Sequence, residues 1–367
     1  MVRIKEVISF LESIAPSAYQ ESYDNVGLIV GNPTTKVEGI LITLDCTEDV
    51  VKEAIEKGCN LIVAHHPIIF QGLKTLTGKN YVERTVINAI KNDIAIYASH
   101  TNIDNILEGV SGKIAKTIGL EEVKVLSPKK NLLSKLSFFA PKNDVKPILE
   151  KLHLAGAGNI GNYENCSFSS DGIGAFTPNN KALPHIGEAK KETKLEETKV
   201  EILLPTYLEE KIVNTLKKHH PYEEVAYYLV RLENSNQEVG SGTIGYLTNE
   251  LEVEAFLSLL KEKFNLSCIK HTMFHKKKVK KIAICGGSGS FLLKQAIRQS
   301  ADVFISADFK YHDYFDAENK IIIADIGHYE SEKFTKDLFY EILSEKFVNI
   351  ALCLSQVETN PIKNFIK

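Results

Sequence analysis

The sequence predicts an α/β fold, a two-half α/β domain interrupted by an inserted ferredoxin-like α+β domain. Three observations predict it. Short β-rich runs alternate with helical patterns over the first third of the 367 residues, the alternation returns over the last third, and the middle follows another order. Alternating strand and helix patterns build a parallel sheet with helices on its faces. A chain of this length also exceeds the usual single hydrophobic core, so more than one domain is expected.

The N-terminal stretch MVRIKEVISFLESI puts Ile4, Val7, Ile8, Leu11 and Ile14 on one stripe, the pattern of an amphipathic helix. Its glutamates interrupt any apolar signal core, so no secretion signal is read. GILITLD, from Gly39 to Asp45, reads as a strand, and Thr47 caps a helix that Gly58 stops. LIVA (Leu61 to Ala64) is a second strand, ending at a histidine pair. A helix over Val82 to Lys91 leads to a third strand, IAIYASH, from Ile94 to His100. In the last third KKIAICGG is a strand followed by a helix from Ser290, DVFISAD and IIIADIG are strands, and a closing helix starts at Tyr329.

The middle reads LLSKLSFFA (Leu132 to Ala140), a helix over Val145 to Leu152, then the glycine-rich GAGNIGNYENCSF. TKVEILL (Thr198 to Leu204), a helix over Tyr207 to Lys218 and the strand EVAYYLVRL (Glu224 to Leu232) follow. Strand, helix, strand, strand, helix, strand is the ferredoxin-like order. SPKKN (Ser127 to Asn131) and ENSNQE (Glu233 to Glu238) have linker composition. The expected division is residues 1–130 as the first half of the outer domain, 131–236 as the insert and 237–367 as the second half. Such an insertion costs little when its ends lie close together.

The composition, 44% hydrophobic and 25% charged, is that of a soluble globular protein. No apolar run approaches the ~20 residues needed to span a bilayer, so no membrane partner and a cytoplasmic location are expected. A net charge of -3 argues against a protein built to grip nucleic acid. The one basic run, HKKKVKK (His275 to Lys281), reads as a solvated lead-in to the next strand, with a phosphate contact as the alternative. The six cysteines are scattered, without a C-x-x-C pair, and are expected to be buried reduced thiols.

Two His-His-Pro triplets stand out, in VAHHPIIF (Val63 to Phe70) and KHHPYEE (Lys218 to Glu224). A parallel sheet presents its functional groups beyond the carboxyl ends of its strands. His65 and His66 sit at such an end, as do His100 and Asp104 in SHTNID. His328 follows IIIADIG, and Glu332 lies four residues later, on the same face of a helix start. Three strands thus deliver imidazole and carboxylate to one rim, which makes the outer domain a candidate metal-binding domain. Imidazole and carboxylate without thiolate suit zinc, favoured here, or iron or manganese. Five candidates (His65, His66, Asp104, His328, Glu332) exceed one open catalytic zinc's need for three, so two ions sharing a bridging carboxylate are expected. The second triplet, His219 and His220, closes a helix, where imidazolium complements the helix dipole and proline naturally follows. CGGSGS (Cys285 to Ser290) lacks the spacing of the known phosphate loops and reads as a tight turn or an anion cradle.

Read together, YDNVGLIVG (Tyr23 to Gly31), AHHPIIF, SHTNID, GGSGS, ADFKYHD (Ala307 to Asp313) and DIGHYESE (Asp325 to Glu332) resemble the Nif-three-like family over nearly the whole chain. Bacterial members are commonly labelled GTP cyclohydrolase 1 type 2 homologues. The resemblance implies a dinuclear metal site with His65, His66, Asp104, His328 and Glu332 as ligands and Glu332 as the bridge. It also implies a toroidal homohexamer whose sites face the internal cavity. HPYEEVAYY looks like the characteristic segment of a PII-like, copper-tolerance-like insert, which assigns His219 and His220 to that insert. The chain departs from the family in SADFKYHD, where a Thr-Gly-Asp start is commoner, and at Ile103, where leucine is usual; neither change removes a ligand.

The function these features predict is that of a metal-dependent hydrolase acting on a nucleotide-like or related small molecule. GTP cyclohydrolase chemistry would fit: water attacks the purine imidazole carbon, the ring opens and formate leaves. His100 and His312 are candidates to relay protons or orient ligands. The alternatives are a non-catalytic metal-binding, metal-handling or regulatory ring protein, and a nucleic-acid-binding ring supported only by the basic run.

Overall fold

The apolar runs of the first and last thirds alternate in which face they bury, and this organises the whole larger part of the molecule. The computed structural model describes residues 2–365, which fall into two compact units, one formed by the chain up to Ser127 together with Glu238 onward, the other by Pro128–Gln237.

The larger unit holds two sheets. The first runs in the order Gly27–Val30, Ala95–Ala98, Leu61–Ala64, Gly39–Thr43, Ala351–Leu354. All neighbours are parallel except the Gly27–Val30 edge. The second runs Lys270–His271, Ile322–Asp325, Val303–Ala307, Lys278–Ser288, Asn236–Glu252, Leu120–Lys129, with the three strands between Lys278 and Asp325 parallel. Successive side chains on a strand point to opposite faces. Ile40, Ile42, Leu61 and Val63 of the first sheet therefore share one core with Ile282, Ile284, Val303 and Ile305 of the second. Helices carrying Ile4, Val7, Leu11, Ile114, Phe256 and Phe339 fill that shared layer. The intervening residues Leu41, Ile62 and Ala64 pack outward against Val50, Val51, Ala54 and Val86. Phe304 and Ile323 do the same beneath Leu293 and Ala296. Burial on both faces explains why these strands read as unbroken apolar runs.

The Pro128–Gln237 unit has its own core. Its four strands lie in the order Phe168–Phe176, Thr193–Pro205, Leu133–Pro141, Tyr227–Leu232, every neighbour antiparallel. Leu136, Phe138 and Ala140 alternate inward with Val200, Ile202 and Leu204. Ile148 and Leu152 of the helix Val145–Ala155 and Ile212 and Leu216 of the helix Glu209–His219 cover them.

Helix capping follows the sequence: Thr47 accepts from the Val50 amide, Asn80 from Glu83, and Gly119 ends the helix Val110–Ile118 in the left-handed region. Several expectations need correction. The helix from Ser290 begins as a 3-10 turn, Ser290–Leu292, and becomes α only over Leu293–Arg298. The closing helix is two helices, His328–Glu332 and Thr335–Lys346. Both linker-like stretches are partly strand, because Leu120–Lys129 and Asn236–Glu252 pair side by side. On the N-terminal helix Ile14 is exposed rather than part of the buried stripe. Only Cys46, Cys59 and Cys285 of the cysteines are buried; Cys268 lies in an exposed loop, and Cys166 and Cys353 are half-covered. The basic run leads into a strand, where the Lys280 and Lys281 amides donate to Asp302 at 2.7 and 2.8 Å. No helix among the described residues is long and apolar enough to cross a membrane.

Since Pro128–Gln237 has a separate core and leaves from two strands that neighbour each other, its removal should be tolerated. Replacing it with a short Gly/Ser linker is expected to leave a soluble protein that melts cooperatively, as followed by circular dichroism.

Candidate metal centre

Strand ends pin the first two imidazoles. His65 and His66 follow the strand Leu61–Ala64 directly, and their amides donate to the Leu44 carbonyl at 3.1 and 2.9 Å, fixing the pair against the end of the neighbouring strand. His100 precedes the one-turn helix Thr101–Asp104. His328 opens the helix His328–Glu332, so the spacing of four turns His328 and Glu332 to one side.

The side chains converge on Glu332, which is 3% exposed. Nε2 of His66 and Nε2 of His328 each lie 3.0 Å from its Oε2. Nε2 of His65 lies 3.8 Å from Oε1 and 3.7 Å from Asp104 Oδ1. The rings of His65, His66 and His100 are mutually 4.8 to 5.2 Å apart, and His66 and His328 are 5.4 Å apart. Ligand atoms of His65, His66 and His100, and separately of His66, His328 and Glu332, come within 4.8 Å of one another, close enough to hold an ion.

Each imidazole is held from behind by its other nitrogen. Nδ1–H of His65 donates to the Ser99 carbonyl at 2.9 Å, that of His66 to Asp45 at 2.7 Å, that of His100 to Asp24 at 2.8 Å and that of His328 to Asp308 at 2.6 Å. Such backing fixes the tautomer and turns the Nε2 lone pair toward the centre, as in metal-bound histidines. Three buried atoms at the centre, His65 Nε2, Asp104 Oδ1 and Glu332 Oε2, have no hydrogen-bond partner when the imidazoles are neutral, since each ring hydrogen then sits on Nδ1. Buried polar atoms are normally satisfied, so three together mark a place for a cation.

The electrostatics agree. Burial would raise the Glu332 carboxyl, but the imidazoles of His328, His65 and His66 outweigh it and hold the group well below the usual carboxylate range. Asp104 is pushed well up by burial and by the negative charge of Glu332. Burial lowers His65 to about 4, leaving it neutral. His66 resists burial and rises to about 10 through its bonds to Asp45 and Glu332. His328 rises to about 9 through Glu332 and Asp308. Burial raises the nearby Cys285 thiol, which is thereby kept un-ionised and a poor ligand.

A cavity of about 190 Å³ opens at the cluster, lined by His100, Asp104, His328 and Glu332 with Tyr23 and Phe291 among its other walls. CGGSGS forms one side of it. The Gly286 and Gly287 amides already donate to the Ser111 and Ser331 hydroxyls, so these two are not offered to an anion. Gly287 is required there: its φ is +61°, and a Cβ would stand 2.2 Å from Glu332 Oε1.

Sequence reasoning passed over the roles of Asp24, Asp45 and Asp308. Each lies in or beside a noted stretch, and Asp45 and Asp308 close strands of the sheets. His312 stands apart, exposed on the 3-10 turn Tyr311–Ala317 with its ring against Tyr311 and Phe315. In the second triplet His219 Nδ1 bonds the Thr215 carbonyl, and both nitrogens of His220 are engaged, Nε2 with the Phe139 carbonyl and Nδ1 with the Tyr222 amide.

The sequence profile described as Duf34/NIF3 (NGG1p interacting factor 3) matches residues 2–361. The chain belongs to this family. A Bacillus subtilis relative named GTP cyclohydrolase 1 type 2 homolog is 35% identical over 363 residues, 97% of each chain. A Staphylococcus aureus (strain MSSA476) relative of the same name is 35% identical over 367 residues, 99% of this chain and 100% of its own. Among solved structures, a Bacillus cereus protein related to NIF3 matches with a TM-score of 0.86 at 35% identity over 99% of both chains. A NIF3 member therefore carries this cluster of histidine and carboxylate side chains within the family fold.

Two outcomes follow from this geometry. Gly287→Ala should push Glu332 aside and weaken metal retention by about 10–100-fold, the scale of lost ligand support, as read by titration against a chromophoric chelator. The second concerns pH. The raised His66 and His328 favour the metal-free fold fully below their ordinary value of 6.5, and that contribution is lost as pH climbs through about 9 to 10. A cation needs both rings neutral, so its affinity should rise with pH over that window, with about two protons released per chain near neutrality. Calorimetry in buffers of different ionisation enthalpy measures that release.

Proposed function

We propose that the larger unit holds two divalent cations and acts as a metal-dependent hydrolase on a nucleotide-like small molecule. The observation that carries it is the trio of buried atoms, His65 Nε2, Asp104 Oδ1 and Glu332 Oε2, left without a hydrogen when the surrounding back-anchored imidazoles are neutral. The two oxygens of Glu332 divide between neighbours, Oε1 toward His65 and Oε2 toward His66 and His328. That division supports Glu332 as the bridge, with His65 and Asp104 serving one ion and His66 and His328 the other. Three imidazoles, two carboxylates and no thiolate favour zinc, with iron or manganese as alternatives. Cations there would supply Lewis acidity and an ionised water near neutral pH. His100, held at Nδ1 by Asp24, presents Nε2 as a proton acceptor beside His65 and His66. Tyr23 and Phe291 supply aromatic walls for a planar base at the cavity. GTP is the first substrate to consider because similar proteins carry the name GTP cyclohydrolase 1 type 2 homolog.

A second reading, metal binding or handling without catalysis, has its own support. The cavity of about 190 Å³ is smaller than the ~300–1,000 Å³ typical of small-molecule sites. We also read the Pro128–Gln237 unit as a ferredoxin-like, PII-like insert between two halves of the metal-binding domain, on the strength of its antiparallel strand order and two helices. A toroidal homohexamer rests on the family likeness, and a cytoplasmic location on the sequence reading of the N-terminal stretch and of hydropathy.

Reconstituted protein is expected to carry about two ions per chain by elemental analysis, and to release formate from GTP only when metal is present. His66→Ala should abolish both the second ion and the turnover, and His100→Ala should slow turnover by about 10–100-fold with metal retained. Two bound ions without metal-dependent formate release would favour the non-catalytic reading. One ion or none would end the dinuclear one.

A further inference from the structure

The Pro128–Gln237 unit contains a cavity of about 430 Å³ that the metal chemistry does not use. Its volume falls in the ~300–1,000 Å³ range of small-molecule sites. The rings of Phe139, Phe176 and Tyr222, the imidazole of His185 and the carboxylates of Glu197, Glu223 and Glu224 line it, and no lysine or arginine does among the described residues. None of the three carboxylates takes part in a described ion pair, although the unit pairs several of its other acids, such as Glu201 with Lys135 and Asp171 with Lys142. Two are positioned rather than loose. Tyr222 donates its hydroxyl to Glu197 Oε1 at 2.9 Å, and the Leu183 amide donates to Glu223 at 2.8 Å. Glu197 Oε2 occupies the space that a side chain at residue 174 would take, 1.9 Å from where a Cβ on Gly174 would stand. Glycine at 174 thus keeps one carboxylate lying against the cavity wall.

We infer that this cavity binds an organic cation, a protonated amine carried on an apolar or aromatic body. The sign of the charge comes from three carboxylates that outnumber the single imidazole of the lining, His185, and have no lysine or arginine beside them. The apolar body comes from the ring faces, whose negative quadrupoles also attract a cation. A bare metal ion is the poorer fit, since the metal-ligating triads among the described residues all belong to the His65–Glu332 cluster.

The test uses the full chain with tryptamine as the probe, followed by calorimetry and ligand-observed NMR. Tryptamine should bind at one site per chain, and the neutral 3-ethylindole at least about 10-fold more weakly. Glu197→Gln and Glu224→Gln should each weaken tryptamine by about 10-fold while the metal content stays unchanged. Because Glu197 holds Tyr222, a folding defect in its variant leaves Glu224→Gln, at an exposed position, to carry the test. Equal binding of 3-ethylindole, unaltered affinity in the glutamine variants, or displacement of tryptamine by equimolar calcium would overturn the proposal. So would failure of both tryptamine and spermidine to bind at millimolar concentration.

Discussion

A buried carboxylate without compensation is among the most costly arrangements a fold can hold, and Glu332 is one, 3% exposed between two sheets' worth of strand ends. Everything near it answers that constraint. Imidazoles stand on several sides, each turned by a bond at its far nitrogen, and the groups making those bonds are Ser99, Asp45 and Asp308 just past strands and Asp24 in the loop before Gly27–Val30. The parallel sheets are what bring these ends together. Residues from positions 24 to 332 can meet only because both halves of the larger unit end their strands toward the same centre. The same compensation explains the directions of the titrations, with Glu332 held ionised and His66 and His328 held protonated when no cation is present.

The strands and most helices of the larger unit were legible because they bury both faces or a single stripe, and such burial writes itself as runs and periods. The histidine and carboxylate candidates were legible for a related reason: His65 and His328 sit just past a strand, and Asp104 lies on the one-turn helix that follows another. Less legible were the groups behind them. Asp45 and Asp308 sit where any strand-ending aspartate might, and only tertiary register aligns their oxygens with a ring nitrogen. Gly287 was visible as part of a glycine run, but its role as the space for Glu332 depends on a helix 44 residues further on, where Ser331 bonds the Gly287 amide. The stretches SPKKN and ENSNQE looked like linkers because local composition cannot register that their flanking segments pair.

The two His-His-Pro triplets show how little a local string decides. At His65 and His66 the rings lean on groups behind them and turn Nε2 toward the buried centre, where that of His65 has no partner and that of His66 faces Glu332. At His220 both ring nitrogens are consumed by its own surroundings, the Phe139 carbonyl and the Tyr222 amide. One triplet ends a strand and the other ends a helix, and the backbone around each determines what remains for the side chain to bind.

The edge strand Ala351–Leu354 lies parallel to Gly39–Thr43, and just beyond it the Thr359 hydroxyl reaches Asp45, 314 positions earlier, the same aspartate that holds His66. Contacts of such separation close late, since the intervening chain must first be made and ordered. During synthesis the first half can therefore build its sheet only as an incomplete template, with an unpaired edge at Gly39–Thr43 and a histidine whose backing aspartate lacks one of its own supports. Full ordering of the cluster becomes coupled to completion of the polypeptide, so a prematurely ended chain would emerge with an open sheet edge and a poorly braced His66.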